Sequence, residues 1–127
     1  MIESIIDDIL LSSPGVTGMV NTRVRPLVRT QDLPCVSFRK TDQVQEINID
    51  GESVGMIEAE VEITCYAKRL SELKTLFGHV KSQMVNHTGI IDGINIHLVV
   101  YGSDDDSYDQ DSEIYLNESN FTIYFEG

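Results

Sequence analysis

With 127 residues, 14.2 kDa and a formal charge of −12, the chain has the length of one domain able to bury a core without metal or disulfide support. That charge excludes tight nucleic-acid binding, whose affinity comes from Lys and Arg neutralising phosphates. No apolar run approaches the ~20 residues of a membrane helix, and Met1-Ile2-Glu3-Ser4 carries acid where a secretory signal carries Lys or Arg; the expectation is a soluble protein.

Ile2, Ile5, Ile6, Ile9 and Leu10 mark one face of an N-terminal helix ending near Ser12. Ser13-Pro14 reads as an N-cap followed by Pro at the first helical position, predicting a short second turn through Val16, Met19 and Val20. Thr22 to Arg25 is a candidate short strand stopped by Pro26. Val28 to Leu33 has no period and reads as a loop closed by Pro34. Pro34 to Lys40 is a strand and Val44 to Ile49 a weaker one, which Asp50-Gly51 turns back into the next.

That next strand is the clearest element of the chain. Between Ile57 and Tyr66, Ile57, Ala59, Val61, Ile63 and Cys65 alternate without a miss against Glu58, Glu60, Glu62, Thr64 and Tyr66, giving one dry and one wet face. Glutamates on one strand face stand roughly 7 Å apart, where each pair repels by about 0.6 kcal/mol in water and several times more if desolvated. The wet face therefore meets solvent, a water-filled channel or basic groups of a neighbour. Leu70, Leu73, Leu76, Phe77, Val80 and Met84 then switch to helical spacing up to Asn86, with a stop at Thr88-Gly89. Ile94 to Tyr101 is a strand that opens alternating and ends as an apolar run. Ser103 to Asp111 reads as an acidic loop. Glu113 to Phe125 closes the chain as a strand whose phase slips at Asn117 to Asn120, predicting a bulge or break. The sum is α+β: a mainly antiparallel sheet of about five strands, with two principal helices packed on one face.

No cofactor, metal or catalytic residue is expected. The cluster Asp104, Asp105, Asp106, Asp109 and Asp111 lacks the Gly and Glu that a calcium loop of the EF-hand kind places sixth and twelfth. His79, His87 and His97 have no zinc-ligand spacing. Cys65 shares the dry phase of its strand, so Cys35 and Cys65 are read as reduced core thiols rather than nucleophiles. Charge is segregated instead: residues 23–40 carry a net +4, 41–66 carry −7, and 91–127 carry −9. Opposite blocks of this kind are neighbours within one fold or complementary surfaces of a head-to-tail oligomer.

In order, the helix Ile5 to Leu11, the turn Gly15-Val16-Thr17-Gly18-Met19-Val20, Thr22-Arg23-Val24-Arg25-Pro26, Leu33-Pro34 and Val36-Ser37-Phe38 lead to Ala59-Glu60-Val61-Glu62-Ile63-Thr64-Cys65-Tyr66-Ala67 and its helix. Asp105-Asp106-Ser107-Tyr108 and an aromatic-rich strand to Tyr124-Phe125 follow. This succession resembles the small tail-completion, or tail-terminator, proteins of long-tailed bacteriophages and prophages. The resemblance implies a structural virion protein without turnover, in hexameric rings that cap the tail tube, end its polymerisation and meet the head connector. Its implied partners are further copies of itself, the tail-tube protein and the head connector or stopper, with DNA passing through unbound and no membrane. Another neck component of similar fold, or a soluble enzyme or small-molecule binder, are the alternatives.

On that reading Arg23, Arg25 and Arg29 are candidates for the subunit interface. Glu58, Glu60 and Glu62 are candidates for a lumen or seam face. Arg29, Gln31 and Asp32 in one loop, and Asp104, Asp105, Asp106 and Tyr108 in the other, are candidates for contacts with tube or connector.

Overall fold

The computed structural model describes residues 2–27, 32–47, 53–91 and 93–126. Helices α1 (Ile2–Leu11) and α2 (Pro14–Val20) come first. Ser13 caps α2, its hydroxyl accepting a hydrogen bond from the Val16 amide at 3.2 Å, and Pro14 occupies the first turn, where its missing N–H costs nothing. Strands β1 (Val24–Pro26), β2 (Cys35–Ile47) and β3 (Ser53–Ala67) precede helix α3 (Leu70–Val85). Strands β4 (Gly89–Ile91), β5 (Ile94–Asp109) and β6 (Ile114–Glu126) close the chain.

All six strands form one sheet in the order β1-β2-β3-β6-β5-β4. Every pairing is antiparallel except β1 with β2. Among the described residues the α+β architecture is as expected, with the short helix after Ser13 beside the two principal ones and six strands in place of about five. β4 is only three residues long, too short to leave a period in the sequence.

The dry phase of β3 is the floor of the core. Ala59, Val61, Ile63 and Cys65 are fully buried, as are Leu73, Leu76, Val80 and Met84 on α3 and Ile5, Ile6, Ile9 and Leu10 on α1. Both helices therefore cover the same sheet face. Gln83 ties them together, its amide donating to the Ile9 carbonyl and to the Ser12 hydroxyl, each at 2.9 Å. Gly15 is a close approach: a Cβ there would stand 2.4 Å from the His79 ring of α3. Cys35 and Cys65 are both buried on adjoining strands, and Val36 rather than Cys35 is the register partner of Cys65. Burial pushes the Cys65 thiol pKa up, and the neighbouring Cys35 adds to the rise.

Three sequence expectations need correction. Pro34 to Lys40 and Val44 to Ile49 are not two strands, since β2 runs unbroken through both to Ile47, the register shift after Lys40 bending it without ending it. Ser103 to Asp111 is not a loop, because β5 continues to Asp109 and only the turn at 110–113 is irregular. The phase of β6 does not slip. Asn117, Ser119, Phe121, Ile123 and Phe125 are all buried on one side, and β6 pairs with β3 without a register shift. The irregularities lie across the ladder, on β5, between Ile96 and Leu98 and between Tyr101 and Ser103. The first of them returns the inward phase from Ile96 to Val99 and leaves Leu98 and Val100 on the outside.

Candidate functional site

Among the described residues the helices lie on one side of the sheet, and no helix covers its other face. Register defines its rows. Arg39, Glu62, Asn120 and Ser103 share one row across β2, β3, β6 and β5; Asp42, Glu60, Thr122 and Val100 share the next. On the other side of the first row, Ser37, Thr64, Glu118 and Asp105 line up. The three glutamates of β3 thus stand on this bare face, as the alternation requires. Glu60 is exposed, while Glu58 and Glu62 are half-buried.

This face is electrostatically unbalanced. Asp42 lies directly opposite Glu60, and Asp105 directly opposite Glu118. Like charges at directly opposed positions destabilise a sheet. The base seen to answer this acid is Arg39, whose Nε donates to Glu62 at 3.2 Å in a solvent-exposed pair. At the level of the register shifts, Thr41, Glu60, Gly102, Asn120 and Thr122 line a shallow groove across the face, of about 350 Å³. Gly102 suits this bend, since a Cβ there would come 3.2 Å from the Asn120 carbonyl.

The acidic run on β5 divides between the two faces. Asp105 points to the bare side, whereas Asp104 and Asp106 pair with Ser119 and Asn117 on the helix side. The Asn117 amide nitrogen donates to Asp104 at 2.9 Å and to Asp106 at 2.8 Å, from a fully buried side chain. Lys74 on α3 reaches the other oxygen of Asp106, and the Tyr101 hydroxyl donates to Asp104. Asn117 first, and Lys74 after it, hold the Asp106 carboxyl below the usual carboxylate range, against a smaller opposing effect of burial. The hydrogen bond to Asp104, chiefly, raises the Tyr101 hydroxyl, and the one to Asp106 raises Lys74.

Two turns further along α3, Lys81 places its ammonium 4.0 Å from the centre of the Tyr101 ring, which meets Phe121 edge-on at 5.8 Å. Lysines at 74 and 81 of one helix therefore clamp the β5–β6 hairpin to the core. Nearer the hairpin tip Tyr108, half exposed, packs on Tyr115 with ring centres 4.7 Å apart. The sequence offered a faint signal for this clamp: Asn117 and Ser119 sit at two-residue steps from Phe121, in its phase.

Of the candidate interface arginines, Arg23 donates to the carbonyls of Pro34 at 2.9 Å and Met19 at 3.2 Å, joining α2 to the start of β2. Arg25 donates to the carbonyls of Thr22 and Val24, each at 3.2 Å. Arg29 and Gln31 lie outside the described residues, and Asp32 is exposed at the resumption of the chain before β2. Among the described residues, no three or more His, Cys, Asp and Glu side chains are grouped to hold a metal ion. Among the described residues, no helix is long and apolar enough to cross a membrane.

The free edges of the sheet complete the site. β1 covers β2 only from Val36 to Phe38, and β4 covers β5 only from Ile94 to Ile96. Among the described residues, β2 from Arg39 and β5 from His97 onward have no strand beyond them. The two hairpins also overrun the centre in opposite directions, since β2–β3 extends past the pair Met56–Glu126 and β5–β6 past Ala67–Tyr115.

No protein-family model matches the chain, and no curated protein matches it in sequence. Among solved structures it is similar to a chain of the virion of a native gene transfer agent particle, with a TM-score of 0.80 at 13% identity. The match covers 98% of this chain and 94% of that one. At this identity the two share a fold.

Proposed function

We propose that this chain is a structural virion protein of a long-tailed phage or prophage, a tail terminator. It assembles head to tail into a ring, six-membered as the family resemblance implies, that sits on the tail tube, ends its polymerisation and forms the joint to the head connector. The observation that carries the reading is the one-sided sheet, with helices on one face and bare acid on the other, in a fold shared with a virion chain.

A ring wall built from such a unit has a natural inside and outside. The helical layer needs the larger circumference, which turns Glu58, Glu60 and Glu62 toward the hole. An acidic hole suits DNA in transit, because its carboxylates repel the phosphates and Arg39, the base seen on this face, is paired with Glu62. Hairpins overrunning the sheet at both ends supply a ring with two distinct rims, one for the tube and one for the connector. Asp104, Asp105, Asp106 and Tyr108 belong to the hairpin of one of these rims, a strand pair held rigid by the Lys74 and Lys81 clamp. The role of Arg23, Arg25 and Arg29 at the seam stays a proposal, and replacing all three by Glu without loss of the ring would remove it.

Tail assembly tests the function directly. Particles assembled without the protein are expected to carry tubes of unregulated length that fail to join heads, and adding the purified chain back restores both. Tubes of normal length that join heads in its absence would refute the proposal.

A further inference from the structure

From the two short outer strands we infer that neighbouring copies join through one shared strand position. In it β1 of one copy and β4 of its neighbour lie end to end, between the first copy's β2 and the neighbour's β5, and Arg25 meets the neighbour's Asp105. The inference rests on the ring reading above and specifies its seam.

The two strands leave complementary gaps. β1 lies opposite Val36 to Phe38, whose rows end on β5 at Asp106 to Asp104. β4 lies opposite Ile96 to Ile94, and the row of Ile96 begins on β2 at Gln45. Among the described residues, the rows covered on one edge are therefore open on the other. β1 is parallel to β2 and β4 antiparallel to β5, so both run the same way. Rotation about an axis along the strands preserves that direction and the face turned inward. One copy's β1 thus enters the open rows of the neighbour's β5 as an antiparallel strand, while the neighbour's β4 enters the open rows of β2. Leu27, in the left-handed region at φ 68, ends β1 at the row of Arg39, short of the rows that β4 takes.

Hydrogen-bonding phase fits as well. The Val36 amide donates to the Arg23 carbonyl at 3.0 Å and the Phe38 carbonyl accepts from the Leu27 amide at 2.9 Å, so the backbone groups of Ser37 point to β3. These rows hold no register shift, and alternation along them turns the groups of Glu118 to β5 and those of Asp104 and Asp106 outward. On β1 the outward groups belong to Val24 and Pro26, in the same two rows. Pro26 has no N–H to give, and its carbonyl and that of Val24 accept from Asp104 and Asp106.

Arg25 and Asp105 form the intervening pair, with Cα atoms about 4.5 Å apart. Arg25 is exposed and donates to backbone carbonyls in its own copy, so its charge has a carboxylate to gain. Asp105 is opposed to Glu118, and the guanidinium relieves a like-charge pair that a lone copy leaves in place. Apolar surface collects on the same seam: Leu27 and Ile90 are each 75% exposed, Leu98 51% and Val100 41%. The shared position brings Leu27 beside Ser103, across the Gly102 irregularity from Val100, and Ile90 beside the other copy's β2.

A disulfide trap tests the seam. Within one chain Arg25 and Asp105 are four strand spacings apart, about 19 Å, well beyond the ~7 Å a disulfide spans. The double variant Arg25→Cys with Asp105→Cys therefore crosslinks this pair only between copies, and the native Cys35 and Cys65 are buried. Under mild oxidation at tens of micromolar protein, a non-reducing gel is expected to give a ladder beyond the dimer that collapses on reduction.

Charge reversal is the companion measurement. Arg25→Glu and Asp105→Arg should each weaken assembly at low salt by at least tenfold. An equimolar mixture of the two restores it, because every seam then pairs opposite charges in an alternating ring. Rings in the native mass spectrum of the wild type without a ladder, or with crosslinked dimers alone, would overturn the shared-strand seam while leaving the ring reading standing. Monomeric wild type together with no ladder would overturn both.

Discussion

Replacing Asn117 by Asp probes the clamp that holds the β5–β6 hairpin to α3. The buried amide donates to Asp104 at 2.9 Å and Asp106 at 2.8 Å, and the substitution turns both donors into carboxylate repulsions. At about 4 Å each repulsion is worth roughly 1 kcal/mol in water and roughly 4 kcal/mol at the effective dielectric of a protein surface. Lys74 neutralises part of the charge and Asp104 is exposed, so the lower part of that range applies. Adding two lost hydrogen bonds to charged groups gives about 4 kcal/mol in all. For a chain of this length that corresponds to a fall in Tm of about 10–15 °C at pH 7.

The sign of its pH dependence follows from Asp106. The Asp106 carboxyl lies below its ordinary pKa, so its stabilising share is complete above the unfolded carboxylate range and disappears as the pH falls through the folded value. In the variant that share is absent, and acid relieves the repulsion by protonating one of the three carboxylates. The deficit therefore shrinks between pH 7 and pH 4. Circular-dichroism melts of both proteins at the two pH values measure it. A Tm within about 2 °C of wild type at pH 7, or a deficit unchanged at pH 4, would refute the reasoning.

Other outcomes follow from the core and caps. Leu73→Ala, which empties a fully buried site between α3 and the sheet, should cost about 3 kcal/mol in denaturant unfolding with an unchanged m-value. Ser13→Ala removes the side-chain cap of α2 and should cost about 1 kcal/mol, with Ser13→Asp restoring most of it. Burial, and for Cys65 an upward-shifted thiol, should keep both cysteines from reacting with an aromatic disulfide reagent at pH 8 until denaturant is added; prompt labelling of the native protein would contradict their placement.

How far the sequence could be read depended on whether hydrophobicity and geometry agreed. In β3 they agree at every residue from Ile57 to Tyr66, and its dry face, its wet face and the helix that follows are all where the alternation puts them. In β6 they part, because Asn117 and Ser119 occupy inward positions and their donors find acceptors on the neighbouring strands β5 and β3. Ser119 donates to the Ile63 carbonyl at 3.0 Å, and Asn117 donates to aspartates 13 and 11 residues away. A buried polar pair with partners so distant reads as a slipped phase when only the alternation is visible.

The same blindness turned the second half of β5, from Ser103, into a loop. Three consecutive aspartates carry no strand signal, and the partners of Asp104 and Asp106 are Asn117, Tyr101 and a lysine on α3. The bare face itself was legible as a strand face but not as a surface. Only register brings Asp42 against Glu60 and Asp105 against Glu118, and leaves Arg39 as the base beside them.

The central claim is that this unit closes into a ring with its acidic sheet face toward the hole, and imaging of the purified protein at tens of micromolar and low salt tests it most directly. The account predicts closed rings of uniform subunit number, six by the family resemblance, with the helices on the outer circumference and Glu58, Glu60 and Glu62 lining the opening. Monomers, open filaments, or rings with the helical face turned inward would contradict it.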